Sequence, residues 1–502
     1  MSHFIKPLEI VAPRSKFYQG PFGRLFPELP AWKPAGVSEN QLEGFLRDVA
    51  EDFMMEVKGK KPGDVTPEEV AIFSSRIPVG YTYLGQFIDH DITFDPASSL
   101  VRQNDPNGLF NHRTPRLDLD SLYGSGPSAS PYLYDQEDKD ALGRVQKLLV
   151  DTIPGTALKD LPRNKQGRAL IGDARNDENA IVAQLQLAFL LAHNELVDRA
   201  REANLDDPFE SARTTLRWLY QYIVWNDFLE QITQKADREC ALHLDPTCPN
   251  RQIWKLGFED VYSWRNQPFM PVEFSVAAYR FGHSMVRNKY QTNFPHRGFN
   301  VFAPIFDNTG IPHPDDLRGF RPLEPQNYVQ WDWYLQMESS QEPFPQLAQK
   351  IDPRLANALH FLPEGAVGSP MNVLAFRNLM RGIRMDLPSG TDVAKRLGIP
   401  PLVINAPHED SLWFYILKEA DSLQEADKGQ MLGRVGSIIV CATFAGLLKG
   451  DPSSYFNVNP TWKPDHDPLL KPDDKKDSVD WKLASIIRLS GLPVSAEDFP
   501  AQ

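Results

Sequence analysis

Residues 181–192 read IVAQLQLAFLLA and restrict this chain more than any other stretch. As a helix the segment is apolar nearly all round. Such a helix must be buried in a large core or in a membrane. It is too short to span a bilayer, it contains Gln184 and Gln186, and His193 and Asn194 follow at once. The segment therefore reads as a helix enclosed by protein, within a helical stretch at 178–203, with Ile181, Leu185, Ala188, Phe189, Ala192 and Leu196 near one stripe.

A chain of 502 residues can supply that enclosure, because one this long buries roughly three-quarters of its unfolded surface. With 41% apolar and 24% charged residues it has an ordinary globular composition. Its formal charge of −13 disfavours nucleic acid and anionic membranes as general partners. The 43 prolines and 31 glycines favour many short elements and stiff loops over a simple bundle. Three cysteines, Cys240, Cys248 and Cys441, exclude a disulfide scaffold and a Cys-rich zinc or iron–sulfur site. Residues 1–30 lack a secretory apolar core, so the compartment is expected to be cytoplasmic, or reached by export without a recognisable leader.

Along the chain, residues 1–37 are Pro-rich and aperiodic and read as an arm that wraps another surface. Ser38, with Gln41 at the reciprocal capping position, opens a helix whose Leu42, Phe45, Leu46, Val49 and Phe53 share a face. Thr66-Pro-Glu-Glu69 opens another. Residues 97–140 are long, polar and turn-rich. Helices are expected at 208–235, 270–290, 372–385, 410–424 and 429–449, a loop-rich segment at 291–345, and few strands. No repeat or clean linker divides the chain, which reads as one large, mainly helical unit with an N-terminal arm.

Five clusters are candidates for chemistry. In Gln86-Phe-Ile-Asp89-His90-Asp91, helical spacing puts an amide, a carboxylate and an imidazole on one face. In Thr114-Pro-Arg-Leu-Asp118-Leu-Asp120-Ser121, alternating oxygens suit a hard cation, although the EF-hand spacing is not met. Gly-Asp-Ala-Arg175-Asn-Asp-Glu178 precedes the apolar helix, Tyr279-Arg280-Phe-Gly-His283 lets something large approach at Gly282, and Arg377-Asn378-Leu-Met-Arg381 leads to Arg384. Each has a plain structural alternative: a satisfied helix-end histidine, an acidic solvated turn, an acidic helix N-terminus, a core histidine and a solvated cationic face.

Taken in order, these motifs resemble the animal-type haem peroxidases of the peroxidase–cyclooxygenase superfamily, over residues 70–450. The resemblance implies a mainly α fold: one large helical haem-peroxidase domain with long loops and very little β. It implies an arm and helix at 1–65 packed on the core, a peroxidase domain at 66–460 and an extension at 461–502. His90 matches the distal base, Gln86 its pocket neighbour and Arg175 the distal arginine. His283 matches the proximal iron ligand, and Asn378 the residue that orients its far nitrogen. Arg280 and Arg381 match arginines near the haem propionates. Asp89 and Glu178 match carboxylates that become esters to haem b. Asp91, Thr114, Arg116 (through its carbonyl), Asp118 and Asp120 match a calcium shell, with Asp120 replacing a hydroxyl. Asn179 stands where one branch of the family has a Met linked to haem, so no sulfonium bond is expected. The missing leader, pro-segment and disulfides point to a compact, bacterial-type member.

The implied activity is reduction of hydrogen peroxide, through ferryl intermediates, with oxidation of small anionic or phenolic donors (halides, thiocyanate, phenols). Two rival readings stand beside it. A fatty-acid dioxygenase of the same superfamily would carry a radical Tyr three residues before the proximal His; that position is Arg280, and Tyr279 is four before. A haem-containing binding module without turnover would need neither His90 nor Arg175.

Overall fold

The computed structural model describes residues 18–19, 22–94, 113, 115–246, 253–264, 268–306, 313–341, 345–363, 372–476, 478 and 480–500. Thr114 and Cys248, most of the arm at 1–17 and much of the turn-rich stretch after residue 94 lie outside them.

The apolar segment forms the helix Ala180–Glu202, buried without a break from Ala180 to Leu190. Asn179 caps it, its side chain accepting from the Ile181 and Val182 amides. It is the one described helix long and apolar enough to cross a membrane by length and composition, and here protein covers it. Its two glutamines each bond a group outside the helix. Gln184 donates to the Ala180 and Asn327 carbonyls and accepts from the Val329 amide, and Gln186 meets Asn176.

Three helices close on this axis: Gly80–Ile92, Pro208–Ile223 and Leu483–Ser490. Phe87 stacks on Phe189 at 4.6 Å, and Tyr220 meets both rings edge-on at 6.1 and 5.7 Å. The expected helix at 208–235 is interrupted by a π-helical turn, Val224–Phe228. Asp227 in that turn accepts from the Tyr81 hydroxyl at 2.7 Å and the Leu483 amide at 2.9 Å.

The other capping signals hold. Ser38 and Gln41 form a capping box on Glu39–Phe53, and Thr66 caps the short helix Pro67–Ala71. Helices Leu374–Arg384, Leu412–Asp421 and Arg434–Gly450 match the sequence periods. No described strand exceeds the five residues of Ser74–Pro78, and most are two- or three-residue pairings. The protein is mainly α with very little β.

The expected helix over 270–290 is a correction. Met270–Pro271 pairs in parallel with Phe22–Gly23, Val272–Val276 makes little more than a turn, and Ala278–Met285 is a 3-10 helix. Pro271 removes an amide, and the buried Glu273 carboxylate accepts from the Leu25 and Phe26 amides, so this segment is pinned to the arm before it can wind on.

Leu317–Phe320 runs beside the chain just before the central helix. The Gly319 amide donates to the Glu178 carbonyl at 2.9 Å, and the Phe320 and Ala180 amides complete the pairing through Asp177 and Leu317. Fully buried Asp316 fixes that loop through Arg318 and Arg321. A Cβ on Gly319 would overlap the Asp177 carbonyl. Gly319→Ala is therefore expected to lower unfolding free energy by about 2 kcal/mol in a urea titration, the usual scale for a steric intrusion.

Candidate active site

His90 lies in the last turn of the Gly80–Ile92 helix and is 5% exposed. Its Nδ1 lies 2.7 Å from Asn176 Oδ1, while its Nε2 is 4.0 Å from Glu178 Oε1. Burial first, then the Arg175 charge, brings the imidazole down to about 4. The ring is therefore neutral near pH 7 and can accept a proton. Gln86, one turn earlier, contacts the Glu178 carboxylate through its amide nitrogen and accepts from Asn179 Nδ2 at 3.1 Å. Asp89 accepts from the Thr93 hydroxyl at 3.0 Å and acts electrostatically on Tyr279 and Arg280. The distal helix and the 278–285 turn thus face each other closely.

Arg175 sits in a 3-10 turn, Ala174–Asp177, which Asp173 caps. Its guanidinium donates to the Asp173 carboxylate at 2.7 Å, to the His90 carbonyl at 3.0 Å and to the Thr93 carbonyl at 2.6 Å, and lies over the Phe94 ring. The cation is locked beside the histidine. Burial raises Glu178 to about 7 in spite of Arg175.

On the other face, His283 Nδ1 is hydrogen-bonded to the Asn378 side-chain amide at 2.7 Å. Arg280 Nη1 donates to Asn378 Oδ1 at 3.3 Å, and its Nε donates to the Ser275 carbonyl at 3.0 Å. Burial, then the charges of Arg280 and Arg377, hold His283 at about 3, again neutral. Its Nε2 has no hydrogen-bond partner among the described residues. Arg381, half-buried, lies three residues beyond Asn378 on the same helix. Tyr279 packs into an aromatic cluster, 4.6 Å from the Phe274 ring.

A large planar, anionic, metal-bearing group such as haem fits this arrangement on three counts. A Cβ added at Gly282, next to His283, would meet nothing within 4 Å. Glu178 keeps 37% of its side-chain surface open although dense protein surrounds it, as the wall of an internal chamber does. Arg280 and Arg377 face His283 together, and each depresses its proton affinity, an arrangement that favours a bound anion.

Asp91, Asp118 and Asp120 present carboxylate oxygens within 4.8 Å of one another. Asp91 is fully buried, and burial with the charges of Asp120 and Asp118 pushes its carboxyl well above the usual range. Asp91 accepts from the Ser121 hydroxyl at 3.0 Å and the Leu119 amide at 3.2 Å. Asp120 also pairs with Arg113 at 2.9 Å. Arg116 lies in the same loop, half-buried, and Thr114 falls outside the described residues.

The sequence reading gave no role to Asp173, Asn176, Gln186 or Arg113, and marked Arg377 only as one of three arginines able to bind carboxylates. Asp173 and Asn176 stood inside the Gly-Asp-Ala-Arg175-Asn-Asp-Glu178 motif. Gln186 had no signal beyond polarity in an apolar run.

Asp173 generates a pH prediction. Burial pushes its carboxyl up, but the hydrogen bonds and charge of Arg175, with His90 and Arg113, outweigh that and hold it at about 2, against an ordinary 3.8. A depressed acid stabilises the fold above its unfolded pKa and loses that contribution as pH falls through the folded value. About 2 kcal/mol of stability should therefore disappear between roughly pH 4 and 2. Acid titrations followed by circular dichroism should show Asp173→Asn less stable at neutral pH and flatter over that window.

The sequence profile of the animal haem peroxidase family matches residues 98–301. Chorion peroxidase of Drosophila melanogaster is 26% identical over 371 residues, which cover 68% of this chain and 41% of that protein. Thyroid peroxidase of Rattus norvegicus is 26% identical over 39% of this chain and 21% of its own. This chain thus spans well under half the length of these relatives. Among solved structures, peroxidase A from Dictyostelium discoideum superposes over 97% of both chains with a TM-score of 0.58 at 15% identity. A fatty acid alpha-dioxygenase from Oryza sativa superposes over 98% of this chain and 85% of its own, with a TM-score of 0.54 at 15% identity. The matched segment carries Asp118, Arg175, Glu178 and His283, so these four residues lie in the part of the chain that is similar to the animal haem peroxidase family.

Proposed function

We propose that this protein is a haem peroxidase that reduces hydrogen peroxide and oxidises small donors: halides and thiocyanate by two-electron transfer, phenols by one-electron transfer. The observation that carries this reading is the geometry: buried His90 with Arg175 locked at its side, and His283 held by Asn378 on the segment that faces the His90 helix.

Haem b, held by His283 through Nε2 with the Asn378 amide turned so that its oxygen accepts from Nδ1–H, would supply the redox chemistry. The chain's residues move protons and hold charge. Cleaving the O–O bond requires removing a proton from one peroxide oxygen and delivering it to the other. His90 Nε2 takes that proton and returns it. Arg175 stabilises the negative charge that builds on the departing oxygen, and Asp173 keeps the guanidinium from swinging away. Gln86 orders the polar atoms beside His90. Asn378 fixes the His283 ring and tunes its basicity. Arg280 and Arg381, joined by Arg377, would hold the haem propionates by charge. Asp89 and Glu178 are the carboxylates that would become esters to the haem. Asp91, Asp118 and Asp120, with Thr114 and the Arg116 carbonyl, would bind calcium, which relieves the buried acid cluster and anchors the end of the helix that bears His90.

Among the alternatives, the dioxygenase reading has only the shared fold behind it. Arg280 stands three residues before His283, and Tyr279 faces an aromatic cluster. A non-catalytic haem module gives no account of an arginine tied to the histidine's own carbonyl.

Stopped-flow mixing with peroxide is the deciding experiment. His90→Ala should slow the first spectral step by about 10²-fold or more, the lower scale for losing a positioned base. His283→Ala should lose stable haem binding; an unchanged Soret band in that variant refutes its assignment. Denaturing mass spectrometry after peroxide treatment should show haem retained on the wild-type chain. Asp89→Val and Glu178→Gln should each delete one link, and Asn179 should contribute none.

A further inference from the structure

Asn176 and Gln186 form a buried chain that ends on His90. Asn176 Nδ2 donates to Gln186 Oε1 at 2.8 Å, and Asn176 Oδ1 lies 2.7 Å from His90 Nδ1. Both amide residues are fully buried. An amide has one donating and one accepting end. With Nδ2 donating to Gln186, Asn176 offers the ring its carbonyl oxygen, which a proton on Nδ1 satisfies. Nε2 then holds a lone pair on the side of Glu178.

Gln186 is costly where it stands. It lies inside the unbroken buried run of the central helix, and its Nε2 has no partner among the described residues. An unpartnered buried amide donor costs about 1–3 kcal/mol. The hydrogen bond to Asn176 is what the residue supplies in return.

We propose that Gln186 and Asn176 are positioning residues that lock His90 as the Nδ1–H tautomer, so that Nε2 faces peroxide as a proton acceptor. This rests on the reading of His90 as the base. The wrong tautomer would present a proton where a lone pair is needed, with the histidine in place and the haem still bound.

The test uses the haem-loaded full chain and a probe that does not require peroxide turnover. In the ferrous carbon monoxide complex, the C–O stretch falls when Nε2–H donates to the bound ligand. Gln186→Leu and Asn176→Leu release the lock. Both should lower the stretch and slow the peroxide step by about 10²-fold, the scale for a base in the wrong protonation state, with the ferric Soret band unchanged. Asn176→Asp and Gln186→Glu preserve the acceptors and should keep both properties near wild type. A merely structural role would shift melting temperature without moving the stretch. The proposal is overturned if the leucine variants keep the wild-type stretch. It is equally overturned if Asn176→Asp behaves like Asn176→Leu, because the amide would then be donating to the ring. Should Asn176→Leu fail to fold, the Gln186→Leu and Gln186→Glu pair decides alone. A shifted stretch with a peroxide step indifferent to His90→Ala would retain the tautomer lock and reject the peroxidase reading.

Discussion

One buried carboxylate, Asp173, holds two arginines at once. Arg175 takes it from one side and Arg113, at 2.6 Å, from the other. Through Arg175 it reaches the His90 and Thr93 carbonyls, and through Arg113 it reaches Asp120 in the acidic loop. The 3-10 turn, the end of the distal helix and the acidic loop therefore share one electrostatic junction. Buried ion pairs of this kind contribute little net stability, but removing one partner strands the others in a medium of low dielectric. The geometry around His90 is consequently maintained by a carboxylate shared between two guanidinium groups.

The parts of the fold that were legible in the sequence are those set by local rules. Ser38, Thr66 and Asn179 satisfy helix N-termini with their own side chains, and the 3.6-residue period places the long helices. Gln86 and His90 share a face because four residues make about one helical turn. Illegible features depend on contacts distant in sequence. Residues 270–290 have helical composition, yet Glu273 is claimed by the amides of Leu25 and Phe26, nearly 250 positions away. Gly319 carries no local signal, because its requirement comes from the Asp177 carbonyl that it approaches. The same holds for Asn176 and Gln186, whose significance depends on a ring supplied by another helix. Local chemistry announced the reactive groups; their supports had to be seen in three dimensions.

The two faces of the site are also built with different stiffness. The distal residues hang from the start of the central helix and from a second helix locked to it by the stacked Phe87 and Phe189 rings. His283 instead rides on a 3-10 turn, held through Asn378 and through Trp413, whose indole donates to the Arg280 carbonyl at 3.2 Å. A 3-10 turn has poorer backbone hydrogen bonds than an α-helix. The side chains around His283 thus bear more of the burden of position than the backbone does.

The packing of Leu483–Ser490 against Ala180–Glu202 has a temporal consequence. The central helix is apolar nearly all round over residues 181–192, and one of its covers is made some 280 residues later. While the chain emerges from the ribosome at roughly 5–20 residues per second, that flank stays bare for some tens of seconds. During this interval the nascent chain displays a greasy strip that invites chaperones or neighbouring chains. Residues 483–490 must be made before this flank can close.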